Sequence, residues 1–223
     1  DVNPDSIAIK APYLRKKYTW FYDDYMEKMI SAGYTQDTTY YTNLRTILQN
    51  KDYNELSSTV ARTFPDLNKQ QIELDQAFRY IQYYYPKQKF PRLISFISGF
   101  SVQTPIGNDY IGIGLDMFLG KNGDRFYPAL RQSIPQYLSR RFSPENISPR
   151  VIEAFIREEM FPENDADRNL ISKMIYNGKI LYFLDAVLAD TPDILKIGYT
   201  TEQLQWCKDS EAGIWAYFLD NEL

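Results

Sequence analysis

The chain has 223 residues, no histidine and one cysteine, Cys207. Without imidazole it cannot build a Ser-His-Asp or Cys-His catalytic site, nor a zinc site that uses histidine. A single thiol excludes an intramolecular disulfide and a thiolate metal cage, and it suits either redox compartment. No long apolar run is present and the mean hydropathy is -0.46, which excludes a membrane-spanning helix. Positive charge is not in excess: 25 Lys plus Arg stand against 29 Asp plus Glu, for a net charge of -4. That balance, with a pI of about 5.0, argues against a nucleic-acid partner, because phosphate binding rests on clustered cations. Internal repeats and low-complexity linkers are also missing.

What remains is 44% hydrophobic and 24% charged, enough apolar material for a packed core. The first residue is Asp rather than Met, so the chain reads as a processed or truncated form, with any signal segment already outside it. A helix is expected from Pro12 to Ala32, ended by Gly33, with shorter helical runs at Asp37–Gln49 and Tyr53–Thr63. Leu67, Leu74, Phe78, Ile81 and Tyr85 recur along one face of a helix over Asn68–Tyr85, which Pro86 stops. Arg92–Ser98 and Tyr110–Leu115 are rich in β-branched and aromatic residues and read as strands, joined as a hairpin across Pro105–Asp109.

The pattern is helical again from Tyr127. Ser148-Pro149 opens a helix that turns Val151, Ile152, Phe155, Ile156 and Met160 inward, with Ser148 as cap. Asp165 or Asp167 caps the next helix, which runs to about Leu188. Thr191-Pro192 starts a short helix, and Thr200-x-x-Gln203 is a capping box for the last one. The economical reading is one α+β domain, mainly helical, with a small central sheet.

Each candidate for chemistry has a plainer explanation. Gly112-Ile-Gly114 lacks the third glycine of a dinucleotide fingerprint, and glycines in a strand mark bulges or close backbone approach. The acidic loop Glu163–Asp167 lacks the central Gly and terminal Glu of a calcium loop, and capping explains it. Glu153, Glu158 and Glu159 share a helix that Asp185 and Asp116 can approach, but acid–base work needs a fixed carboxylate separation. Glu158 and Glu159 lie opposite Phe155 and Ile156, as on a solvated face. Arg140-Arg141 ends a helix, where cations suit the dipole. The chain has 19 Tyr, 13 Phe and 3 Trp, with clusters at Tyr18–Tyr22, Tyr40-Tyr41, Tyr83–Tyr85 and Trp215–Phe218. Consecutive ring positions turn by about 100 degrees, so some hydroxyls must reach solvent or a partner.

Ile97-Ser-Gly-Phe100, Ile111–Gly120, Pro135–Phe142, Met174–Asp185, Lys196–Cys207 and Glu211–Phe218 form an ordered set that resembles the GldB gliding-motility lipoproteins. The set covers about Lys89 to Leu223, and the N-terminal helices match by position and helical character. The resemblance implies a cell-envelope protein, periplasmic or outer-membrane-associated, held by a lipid anchor on a cysteine outside this chain. It also implies further helical sequence after Leu223. A wider similarity, to putative zinc metallopeptidases with His-Glu-x-x-His on one helix and Glu-Gly on a later one, implies a zincin-like part at 89–223 behind a helical part at 1–88. Here the first helix has no histidine, and Asn177-Gly178 stands where Glu-Gly is expected. The degenerate-site positions are Glu153, Ile156, Asn177 and Gly178. No metal or cofactor is implied, since amide and aliphatic groups do not replace imidazole and carboxylate around zinc.

The expected function is non-catalytic, acting through contacts with envelope proteins or peptides. The expected partner surface is the loop Ser101–Asn108 with a groove edge at Gly112, Gly114 and Asp116. A metal-independent hydrolase, or a glycan- or peptide-binding envelope protein, is the alternative.

Overall fold

A computed structural model describes residues 6–127, 139, 141–164 and 169–221. The chain divides into two compact units. Unit 1 comprises residues 1–69, 89–128 and 142–144, and unit 2 comprises residues 70–88, 129–141 and 145–223.

In unit 1, helix α1 (Ile7–Tyr18) is followed by α2 (Trp20–Asp24), which runs into a π-helical turn at Tyr25–Met29. The expected uninterrupted helix from Pro12 is therefore longer at its start and broken in its middle. Burial of Ile7 and Ala11 holds the turns before Pro12 despite the missing N–H, and Thr19 breaks the rod with a φ of 49°. Ile30 N donates to Tyr25 O at 3.0 Å to close the π turn. Ser31 (φ 55°) and Gly33 (φ 98°) then take the chain out of the helical direction. Helices α3 (Tyr40–Gln49) and α4 (Lys51–Thr63) follow, α4 capped by the Asn50 side chain on Tyr53 N at 3.0 Å.

The sheet contains β1 (Arg92–Phe96), β2 (Ile106–Gly107) and β3 (Tyr110–Gly114) in the order β1-β3-β2. β3 pairs antiparallel with β2 but parallel with β1, in the register Arg92↔Tyr110 to Phe96↔Gly114. The predicted hairpin between the two longer strands is thus overturned. The stretch from Ile97 to Asp109 is long enough for the crossover that a parallel pair requires, and β2 forms within it. Phe21 centres one packing cluster of unit 1, meeting Tyr110 edge-on at 5.0 Å and Phe96 at 5.3 Å and stacking on Tyr25 at 5.6 Å.

In unit 2, α5 (Asn68–Tyr84) buries Leu74, Ala77 and Ile81, close to the face read from its periodicity. Helix α6 (Ile147–Phe155) continues as a second π turn, Ile156–Met160. Val151, Ile152, Phe155 and Ile156 are fully buried there, and Phe155 meets Phe78 edge-on at 5.4 Å. Ser148 is not the cap. Asn146 holds that position, and Ser148 Oγ donates instead to Glu73 Oε2 at 2.5 Å.

Helix α7 (Leu170–Val187) is capped by Asn169, whose Oδ1 accepts from Ser172 N at 2.8 Å. The expected caps Asp165 and Asp167 lie outside the described residues, as do Arg140 and most of the run from Tyr127. Three short helices close the chain: α8 (Asp193–Ile197), α9 (Thr201–Asp209) and α10 (Glu211–Asp220). The capping box at Thr200 and Gln203 is present, both hydrogen bonds included. No described helix is long and apolar enough to cross a membrane.

Candidate functional site

Three features of the two units bear on function. In unit 2, Glu153 is buried on α6 beneath a group of arginines. Arg150 Nη1 donates to Glu153 Oε2 at 2.6 Å, Arg157 Nε to Oε1 at 3.0 Å, and Arg141 Nη1 lies 3.6 Å from Oε2. The spacing of Arg150 and Arg157, one helical turn on either side, brings both guanidiniums to one carboxylate. Arg157 also donates through Nη2 to Asn177 Oδ1 on α7 at 2.8 Å and lies over the Tyr176 ring, 5.3 Å from its centroid. Burial, then repulsion from Arg150, lowers the Arg141 pKa from its ordinary value.

Of the four positions that the peptidase resemblance implied, Glu153 and Asn177 are brought together, with Arg157 between them. Ile156 is fully buried in the core, and Gly178 lies exposed on an open helix face. The carboxylates weighed for acid–base chemistry do not form one constellation. Glu158 and Glu159 are exposed, and Asp185 pairs with Lys196 Nζ at 2.7 Å. Among the described residues, no three of His, Cys, Asp and Glu gather closely enough to hold a metal ion. In the acidic loop, Glu163 pairs with Lys173 at 2.8 Å, while Asp165 and Asp167 lie outside the described residues.

In unit 1, Asp116 is fully buried in a turn after β3. Its Oδ1 accepts from Ser98 N at 2.7 Å; its Oδ2 accepts from Ser98 Oγ at 2.9 Å and Phe100 N at 2.6 Å. The loop that supplies these donors has two consecutive left-handed residues, Gly99 (φ 65°) and Phe100 (φ 63°). The phenylalanine conformation costs about 1 kcal/mol, and the buried carboxylate holds it in place. Burial raises the Asp116 pKa above its usual 3.8, against the hydrogen bonds from Ser98 and Phe100 that lower it. Ile97–Phe100 and Ile111–Gly120, two separate sequence motifs, thus meet at one buried carboxylate.

Gly112 and Gly114 share this setting. A Cβ on Gly112 would lie 2.7 Å from both Phe96 Cε1 and Pro105 Cγ, and one on Gly114 would meet the Val102 carbonyl. Close backbone approach, the plainer reading, accounts for both. β3 is the central strand and Gly112, Gly114 and Asp116 are buried, so they form no groove edge. The outer strands of the sheet are β1 and β2.

The third feature went unread in the sequence. A cavity of about 640 Å³ lies in unit 1, walled by Leu14, Tyr18, Phe21, Tyr22, Tyr25 and Met26 on the first helices, Leu48, then Tyr53, Asn54 and Ser57 on α4, and Ile94 to Phe96 on β1 with Ile97 just after it. A second, of about 400 Å³, shares Tyr53 and reaches Ser98, Gly99 and Phe100. The Tyr25 and Tyr53 hydroxyls are hydrogen-bonded to each other at 2.8 Å and both lie by Ile97 O, Tyr25 at 3.0 Å and Tyr53 at 3.4 Å, so one hydroxyl proton serves the pair and the other the carbonyl. Burial pushes both phenols above their usual pKa, Tyr25 the further, so they stay protonated donors at neutral pH. The aromatic clustering at Tyr18–Tyr22 was the legible trace, but its partners across α4 and β1 are set by the fold.

Comparison with known proteins closes the question of family. No curated protein and no solved structure matches the chain. A family model described as "Gliding motility protein GldB" matches residues 3–223, which extends the likeness through the N-terminal helices. The chain therefore belongs to the gliding motility protein GldB family.

Proposed function

We propose that this chain is a non-catalytic, gliding-motility-related envelope lipoprotein that acts through protein or peptide contacts on a peptidase-like scaffold without a metal site. One observation carries the reading: the Arg157 guanidinium bridges Glu153 and Asn177, the two polar positions at which a zinc peptidase of the resembling kind would arrange ligands and base. A guanidinium that satisfies Glu153 Oε1 and Asn177 Oδ1 supplies a fixed positive charge there. The helix that would carry the His-Glu-x-x-His motif holds no histidine in any register, and its Ile152 and Ile156 are fully buried and apolar. Family membership supports the gliding-motility role, and lipid anchoring through a residue outside this chain accords with it.

The test is elemental analysis of the purified protein together with a peptidase assay over a broad peptide set. Sub-stoichiometric zinc and no chelator-sensitive cleavage are the expected results. One zinc per chain, or cleavage abolished by chelation, overturns the reading.

A further inference from the structure

The 640 Å³ cavity of unit 1 has a wall of a special kind. In a parallel pair, the N–H and C=O of one residue point to the same side, and the sides alternate along the strand. Arg92 N donates to Asp109 O at 2.9 Å, which sets the phase: Arg92, Ile94 and Phe96 bond towards β3. The backbone groups of Leu93, Ser95 and Ile97 must then point the other way. Gly112 N and Gly114 N donate to Pro105 O and Gln103 O, on the far side of β3, as the same alternation requires. Among the described residues, β1 has no strand beyond it.

This free edge faces the cavity. Ile94, Ser95, Phe96 and Ile97 line it consecutively, as an edge does and a single strand face does not. Ser95 is exposed. At the far end the Ile97 carbonyl is taken by the Tyr25 and Tyr53 hydroxyls, which closes the edge after Ser95. The lining also carries no charged side chain. A charged side chain brought into it would lose solvation without gaining a partner, so the complement of this cleft is uncharged.

We infer that the β1 edge in this cleft is a docking site for an extended, uncharged peptide segment, which adds as a further strand through the backbone groups of Ser95 inside the cleft and of Leu93 just beyond its lining. Its apolar or aromatic side chains lie against Tyr18, Phe21, Tyr22 and Tyr53. The volume falls in the range of about 300–1,000 Å³ typical of ligand pockets. Strand addition draws affinity from main-chain hydrogen bonds and specificity from alternate side chains. This inference rests on the proposed role in protein or peptide contacts and gives it a chemical form.

The experiment uses the whole 223-residue chain and a panel of capped, uncharged hexapeptides in which Val, Tyr or Phe alternates with Thr. Each is compared with versions N-methylated at every second residue, in the two possible phases. Binding is read by tyrosine and tryptophan fluorescence and by backbone chemical shifts of residues 92–97. One methylation phase should abolish binding and the other preserve it, because only one set of amides faces β1. Ser95→Pro removes the edge donor without touching the β1–β3 ladder and should weaken binding about tenfold or more. Ser57→Trp fills the cleft from α4 and serves as a second variant should Ser95→Pro destabilise the sheet.

Equal sensitivity to both methylation phases, or no binding across the panel, overturns the inference. So does a dimer of the free protein that Ser95→Pro dissolves, which would assign the edge to a second copy. Failure here with zinc-free, inactive protein leaves the metal-free reading intact, and zinc-dependent cleavage would sink that reading whatever the peptides do.

Discussion

The two units handle buried polarity in opposite ways. Unit 1 uses neutral hydroxyls: Tyr22 and Tyr40 pair at 2.7 Å, Tyr25 and Tyr53 share the Ile97 carbonyl, and Tyr110 donates to Asp24 at 2.8 Å. Burial pushes the phenols of all five up, and the fully buried carboxylate of Asp116 is held by backbone and hydroxyl donors rather than by a cation. Unit 2 uses charge: Glu153 under its arginines, and buried Lys196 on Asp185. The apolar face of α6 is fully buried beside that ionic group. A tyrosine hydroxyl satisfies a buried acceptor from the tip of a large ring. The 640 Å³ cleft, lined by Tyr18, Tyr22, Tyr25 and Tyr53, lies in this hydroxyl-rich unit.

This contrast can be broken by mutation. The largest effect belongs to unit 2. Phe155→Ala should cost about 4 kcal/mol by transfer and cavity terms together, read as a shift in the denaturant midpoint. A loss below that of every single change in unit 1 would show that the apolar face of α6 does not dominate its own unit.

Asp116→Asn comes next. The amide nitrogen must meet either the Ser98 or the Phe100 N–H, so a buried donor goes unpaired at a cost of about 2 kcal/mol. The pH dependence sharpens this. The folded carboxyl titrates above the usual 3.8, so between that value and the raised one the folded state holds the extra proton. Stability therefore falls as pH climbs through the window. The variant should lack this slope, its deficit being widest in acid and narrowing above the window. A deficit that widens with pH would mean that the hydrogen bonds outweigh burial.

Thr200→Ala is the smallest test. It removes a capping box at the start of α9, a helix with no buried residue, and should cost about 1 kcal/mol of local helix stability. Amide exchange in α9 should speed up with little change in unit 1 or α6. Faster exchange in α6 would show that the end of unit 2 unfolds together with its core.

The sequence was most informative where a local rule suffices. Pro86 and the spacing of Leu74 and Ile81 delimit α5, the Thr200 box starts α9, and the glycines of β3 mark close backbone approach. It misled where pairing partners are remote. The hairpin between β1 and β3 became a parallel pair, because side-chain alternation is the same for either direction and only the crossover decides. Ser148 has the chemistry of a cap, yet Glu73 on another helix takes its hydroxyl.

By itself the sequence determined some of what this chain cannot build: with no imidazole and one thiol, histidine-based metal sites, thiolate cages and an intramolecular disulfide are closed by composition. It also carried the family, through ordered motifs. Only the tertiary structure decided which residues meet. Arg157 between Glu153 and Asn177, Asp116 under the Ser98–Phe100 loop, and the edge of β1 turned towards tyrosines of α2 and α4 join residues far apart in the chain. Such contacts are chosen by the packing of whole elements, and no local pattern records them.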